Sequence, residues 1–186
     1  MKNFYHGSVD GKLERLNVIS KCHDKPEIKC AYVTDNYAYS LFYLRDMDIN
    51  IVTAWVNKDG TVGYEEQFEN QLETIYKNQS GYIYTCDNSL PFTKAQTNGI
   101  FYSTLPIPLV SKKYIKDAYK EIQNEIKKGN IKVMKFKDMN PEKYKGLIEF
   151  LSKKIVENNF YEDNPKKRDF YKIHYPKAWD LANKIK

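Results

Sequence analysis

The apolar positions change spacing along the chain, and each change marks an element. Phe4-Tyr5 opens a short extended run that Gly7 ends, and residues 12–18 fit one helical turn. Residues 28–34 read as a strand that stops at Asp35-Asn36, residue types that cap a following helix. In that helix Tyr37, Leu41 and Leu44 fall at i, i+4 and i+7, on one stripe. The runs 50–56 and 61–68 flank Asn57-Lys58-Asp59-Gly60, a hairpin signal. Residues 71–78 form a weak helical pattern, and 81–86 a strand alternating Tyr82 and Tyr84. Residues 99–105 form another strand, stopped by Pro106 and Pro108. The span 111–128 predicts an amphipathic helix, with Ile115, Tyr119, Ile122 and Ile126 on one face and Gly129 at its end. Residues 131–136 alternate as a strand. Asn140-Pro141 then starts a helix through Ile148, Leu151 and Ile155 that Asn158-Asn159 stops, and a last short helix follows Pro176 around Trp179 and Leu181. Strands and helices are interspersed without a regular βα alternation, which predicts an α+β fold with antiparallel sheets.

Composition sharpens this in three ways. A chain of 186 residues with 16 Tyr and 9 Phe can bury one sizeable core, so the expectation is a single domain over 1–186. Its three cysteines are too few for a disulfide framework and its first residues carry no apolar stretch of signal-peptide length. No run reaches the roughly 20 apolar residues of a membrane helix. The expectation is therefore a cytoplasmic protein with no membrane partner. The net charge of +6 is unevenly spread: residues 1–100 hold 10 Lys/Arg and 13 Asp/Glu, and residues 101–186 hold 20 and 11. Only Arg15, Arg45 and Arg168 are arginines, and dispersed lysine favours a solvated face over a base-reading surface.

One group of residues carries candidate chemistry. His6-Gly7-Ser8 at a strand end offers an imidazole for a sugar hydroxyl, a backbone a ligand can approach closely, and a small hydroxyl. Tyr32-Val33-Thr34-Asp35 ends the next long strand, and Ser40 and Tyr43, three apart on the following helix, share a side. A hydroxyl beside an aromatic face suits a planar heteroaromatic amide, stacked on the ring and bonded through its carboxamide.

Together these pieces resemble the diphtheria-toxin-type ADP-ribosyltransferases, which include the catalytic domains of poly(ADP-ribose) polymerases. Those proteins carry His-Gly-Ser or His-Gly-Thr on one strand, a Tyr-Phe-Ala-Asp strand end, and a helix with a Ser and, three residues on, a Tyr. Here Ser40 and Tyr43 follow Tyr32 by eight and eleven residues, as in that family. The resemblance implies two antiparallel sheets around an NAD+-sized cleft, with 1–110 as the cleft-forming core and 111–186 as a basic helical and strand portion. It implies that His6 bonds the adenosine ribose, that the Gly7 backbone and Ser40 hold the carboxamide, that Ser8 adds a contact, and that Tyr32 and Tyr43 enclose the nicotinamide ring. The short gap between the two motifs suits a compact bacterial or phage transferase, passing ADP-ribose from NAD+ to a protein or nucleic-acid acceptor.

The family's third element, a strand Glu that stabilises the oxocarbenium-like state, has no counterpart on the matching strand. Gly99 or Ile100 occupies its place, and Gln96, Ser103 and Thr104 are the nearest polar groups. Either the chain is a divergent transferase limited to slow transfer or to binding, or a carboxylate comes from Glu65, Glu66 or Glu69 after the hairpin. A degenerate binding module of the same fold, a nucleic-acid-binding domain using the basic C-terminal half, and an RNA 2′-phosphotransferase are the alternatives. Cys22-His23, Cys30 and Cys86 are zinc-compatible types, but their spacing fits no usual finger, so no metal is expected. His174 reads as structural and Lys166-Lys167-Arg168 as a solvated loop. Tyr82, Tyr84, Phe101 and Tyr102, at strand spacing, read as core rather than as a stacking platform for bases.

Overall fold

The protein is described by a computed structural model covering residues 2–23 and 25–185. Within these residues it is an α+β protein with two sheets and six helices. In chain order the elements are β1 (Phe4–Ser8), β2 (Arg15–Leu16), β3 (Ser20–Lys21), β4 (Lys29–Thr34), α1 (Tyr37–Ser40), β5 (Thr53–Val56), β6 (Val62–Glu65), α2 (Gln71–Tyr76) and β7 (Gly81–Cys86). They continue with β8 (Thr93–Lys94), β9 (Ile100–Ser103), β10 (Ile107–Ile115), α3 (Ala118–Lys127), β11 (Ile131–Met134), α4 (Pro141–Glu157), α5 (Pro165–His174) and α6 (Pro176–Ile185). The larger sheet has eight strands in the order β2-β10-β7-β1-β4-β9-β8, with β3 on β4, and the smaller runs β11-β6-β5. No helix among the described residues is long and apolar enough to cross a membrane.

The chain packs as two compact units. The first holds residues 1–45, 54–64 and 72–133, and the second 46–53, 65–71 and 134–186. On one face of the large sheet Phe4, Leu16, Ala31, Val33, Cys86 and Ile107 form a buried cluster. Apart from it, Phe42 stacks on Tyr64 at 5.0 Å, and the buried Tyr76 hydroxyl donates to the Phe42 carbonyl at 2.9 Å. In the second unit Phe68 stacks on His174 at 4.2 Å and meets Phe170 and Tyr175 edge-on. Tyr175 there donates to Gln67 Oε1 at 2.8 Å, satisfying two buried polar groups at once.

Charge follows these units rather than the halves of the chain. The first unit carries 17 Lys and Arg against 11 Asp and Glu, and the second 13 against 13. The whole excess of +6 therefore sits on the unit that contains His6.

Three elements differ from the periodic reading. Residues 12–18 form no helical turn, because Arg15 and Leu16 pair with Pro108 and Ile107. The expected helix 111–128 begins only at Ala118. Up to Ile115 the chain instead pairs with β7, Lys112 opposite Tyr84 and Tyr114 opposite Tyr82. Ile115 is buried by that pairing, so its place on the apparent helical stripe was coincidental. Asp117 supplies the cap, accepting from the Lys120 amide at 3.1 Å. Pro108 lies inside the strand, where its short partner β2 leaves it near a sheet edge. Finally, Lys166-Lys167-Arg168 lies in α5, opened by Asn164 and Pro165 in the manner of Asn140-Pro141.

Candidate functional site

The first unit holds a cleft lined by Tyr5, His6, Gly7, Tyr32, Val33, Thr34, Tyr43 and Ile100. Sheet pairing explains its place. β1 pairs with β7 along its whole length but meets β4 only through Tyr5 and Thr34. Beyond that point the two strands part, leaving the β4-side edge of β1 unpaired by strand.

Thr34 organises the back of the cleft. Its hydroxyl donates to the Gly99 carbonyl at 2.6 Å and accepts from the Asn36 amide at 3.1 Å, tying the end of β4 to the start of β9 and to α1. Asn36 caps α1 by accepting from the Tyr39 amide at 2.9 Å. The expected helix over Tyr37, Leu41 and Leu44 is this short α1 followed by a 3-10 turn, Leu41–Tyr43. That turn lays the Ser40 carbonyl and the Tyr43 side chain against Gly7. A Cβ at position 7 would stand 2.1 Å from the Ser40 oxygen.

His6 Nδ1 lies 3.1 Å from the Tyr32 carbonyl, which can only accept, so Nδ1 carries the proton and Nε2 is left as an acceptor. Burial pushes the His6 imidazole below its ordinary value, and the bond to the carbonyl offsets this only in part. Tyr32 fixes its ring through its hydroxyl, which accepts from the His23 amide at 2.6 Å. Tyr43 is held loosely: its hydroxyl meets that of Tyr39 at 3.5 Å, at the limit of a hydrogen bond. The enclosed volume is ≈ 40 Å³, room for about three waters at roughly 15 Å³ each. A planar ring does not fit this volume as it stands.

Of the residues singled out by sequence, His6, Gly7, Tyr32 and Tyr43 share this cleft, and Ser8 and Ser40 do not line it. Ser8 Oγ accepts from the Asp10 amide at 3.1 Å. Ser40 is fully buried, and its hydroxyl donates to the Tyr37 carbonyl at 2.6 Å. Gln96 is exposed in the turn before β9. The three glutamates belong to the second unit. Glu65 pairs with Lys143 at 2.6 Å and Glu66 with Lys135 at 3.3 Å, while Glu66 and Glu69 line a separate cleft of ≈ 240 Å³ with Asn70, Lys135, Phe136 and Lys137. The side chain of β9 on the His6 cleft is Ile100, and among the described residues no carboxylate lines it. Tyr5 and Thr34 lie beside and within the two motifs, yet the sequence assigns neither a role in the site. Their signal is a two-residue alternation, which places them on the face shared with Ile100 once the register Tyr5–Thr34–Ile100 is known.

The two depressed histidines predict a pH effect. His174 is also held below its ordinary value by burial among aromatic rings. Near pH 6.5 and below, the unfolded chain takes up protons at both positions that the folded chain resists, so stability is intact above this range and falls as pH drops. Each histidine contributes to the loss in proportion to how far its imidazole is depressed. Urea midpoints at pH 7.5 and 5.5 measure it, and His174→Phe is expected to remove part of the difference. Equal midpoints in the native chain would contradict the burial argument.

Compared with protein-family models, curated proteins and solved structures, the chain matches none.

Proposed function

We propose that the first unit is an ADP-ribosyltransferase-like domain and that its His6 cleft binds NAD+ with slow or no transfer. One observation carries the reading: four residues that the family resemblance names as NAD+ contacts, 25 or more positions apart in sequence across the two motifs, line a single cleft. His6 Nε2 has the acceptor a ribose hydroxyl needs. The open edge of β1 at Gly7 presents backbone polar groups to a carboxamide, and Tyr32 and Tyr43 supply two ring faces. Ser40 acts by packing against Gly7.

Ile100 favours binding over turnover. Loss of nicotinamide carries the electrons of its bond to the ribose away with the leaving group and leaves positive charge on the sugar, which an acceptor's nucleophile then quenches. Stabilising that charge needs a fixed anion, and an isoleucine supplies none. A degenerate binding module of the same fold is the second reading that this residue supports.

Calorimetry on the folded chain tests the assignment. NAD+ is expected to bind, and His6→Ala and Tyr43→Ala are each expected to weaken it by about tenfold, the loss of roughly 1.4 kcal/mol of hydrogen bonding or stacking. Absence of heat with both NAD+ and a carboxamide analogue would remove the site.

A further inference from the structure

A second surface of the first unit lies on β10 and β7, outside the His6 cleft. Tyr114 is opposite Tyr82, and Tyr82 is opposite Ser8 of β1, so the three share one face of the large sheet. Tyr114 is 56% exposed, and its ring centre is 5.2 Å from that of the half-buried Tyr82. Lys112, on the same face, sets its ammonium 5.2 Å from the Tyr82 ring while donating to the Gly11 carbonyl at 2.6 Å. Gly11 is required there, because a Cβ would come within 2.4 Å of the ring. Val110, 63% exposed, extends the strand's open surface. The sequence reading of Tyr82, Tyr84, Phe101 and Tyr102 as core thus splits: Tyr84 and Tyr102 are buried, while Tyr82 and Phe101 are only partly so.

The same strand borders an open cleft of ≈ 570 Å³ lined by Tyr114, Lys116, Lys120, Asn78 and Ser80. Lys113, Asp117 and Glu121 also face it. Glu121 is taken by Lys113 at 2.8 Å, and Asp117 caps α3. Lys116 is exposed and Lys120 has only a 3.9 Å approach to Asp117, which leaves both ammonium groups able to meet an anion. Across 107–133 there are seven lysines against three acidic residues, the densest basic stretch of the unit that holds all of the protein's net charge.

An exposed ring beside a half-buried cross-strand neighbour, bordered by lysines, offers what an unpaired polynucleotide needs: a ring face for a base and dispersed cations for phosphates. A duplex, with its bases stacked inside, would find no base edges read here, since the surface has no arginine fork. We propose that the β7–β10 face, through Tyr114, Tyr82, Lys116 and Lys120, binds single-stranded nucleic acid. The row from Tyr114 through Tyr82 to Ser8 ends on the strand that carries His6, so a bound strand lies beside that cleft and has the place of an acceptor. The binding itself does not depend on NAD+ occupying the cleft.

Anisotropy of a labelled 12-nucleotide oligo(dT) against the whole chain tests it, with circular dichroism confirming the fold of each variant. Tyr114→Ala is expected to weaken binding by about tenfold, since stacking a base on an aromatic ring contributes roughly 1–3 kcal/mol. Lys116→Gln with Lys120→Gln should lower the slope of log affinity against log salt by about 0.7 for each phosphate that is no longer neutralised. Lys153→Gln with Lys166→Gln, in the second unit, should leave both quantities unchanged. No retention at low ionic strength, tighter binding of a duplex or of heparin than of oligo(dT), or an unaltered affinity in Tyr114→Ala would each overturn the proposal. Calorimetry with NAD+ is read separately, so failure of one assignment leaves the other standing.

Discussion

Gly7→Ala is expected to destabilise the first unit by about 3 kcal/mol and to abolish NAD+ binding. The added methyl would lie 2.1 Å from the Ser40 carbonyl oxygen and 3.1 Å from Tyr43 Cβ. The first is a backbone atom, so no rotamer change relieves it. The turn carrying Ser40 and Tyr43 must lift away, yet Phe42 within that turn is pinned by the Tyr76 hydroxyl and stacked on Tyr64. Overpacking against a held backbone sits at the top of the usual 1–3 kcal/mol range. At roughly 2–4 °C per kcal/mol for a chain of this size, the melting temperature should fall by about 6–12 °C. Gly146→Ala is the contrast, because nothing lies within 4 Å of its Cβ and it sits inside α4. There the better helix former should stabilise by about 0.5–1 kcal/mol. A Gly7→Ala chain melting within a degree of the native one would show that the turn is not held against β1 as described.

The largest change in activity is expected from Ile100→Glu. Ile100 follows Gly99, whose carbonyl is held by Thr34, so the backbone that would carry the new carboxylate is fixed. An anion at this place would act on the positive charge that develops as nicotinamide leaves. Groups of this kind typically change rates by about 10²–10³. Nicotinamide release from NAD+ should rise by about 10²-fold over the native chain. Ile100→Gln, matched in size but uncharged, should show no gain. The apolar surroundings will raise the new carboxyl above the usual carboxylate range, so activity should increase with pH through that raised value. If Ile100→Glu binds NAD+ yet releases no more nicotinamide than Ile100→Gln, the cleft does not orient the dinucleotide as a transferase would.

Local chemistry was legible where it is decided locally. Asn36 and Asn140 cap helices through their own side chains, and Asn57 to Gly60 turns the hairpin, with Gly60 at φ 83°, whereas the Asn164 cap opens a helix that the sequence reading assigns to a loop. The His6-Gly7-Ser8 and Tyr32 motifs could be placed on strands because β1 and β4 carry their own alternation. The β10 segment misled because its lysines hide any alternation, and a single isoleucine at 115 fits a helix stripe as well as a strand. Pairing with β7, a contact some 30 residues away in sequence, decided between them. Ser40 illustrates the same limit. Its spacing from Tyr43 is a helical fact, but the hydroxyl is used in the local bond to the Tyr37 carbonyl, and only the tertiary structure shows that Ser40 meets Gly7 through its backbone carbonyl instead.

By itself, the sequence determined the mixture of strands and helices and the absence of a glutamate on the strand beside the His6 cleft, and it singled out four of the residues that line that cleft. These follow from caps, turns and periodicities that act over a few residues. The tertiary structure decided how the chain divides and where its charge lies. The +6 that counts as −3 and +9 along the halves of the chain becomes +6 and 0 over the two packed units. Electrostatic potential depends on distance in space and not on distance along the chain. Only the fold could therefore place the lysines of β10 and α3 on the unit of His6, and set Tyr114 beside Tyr82.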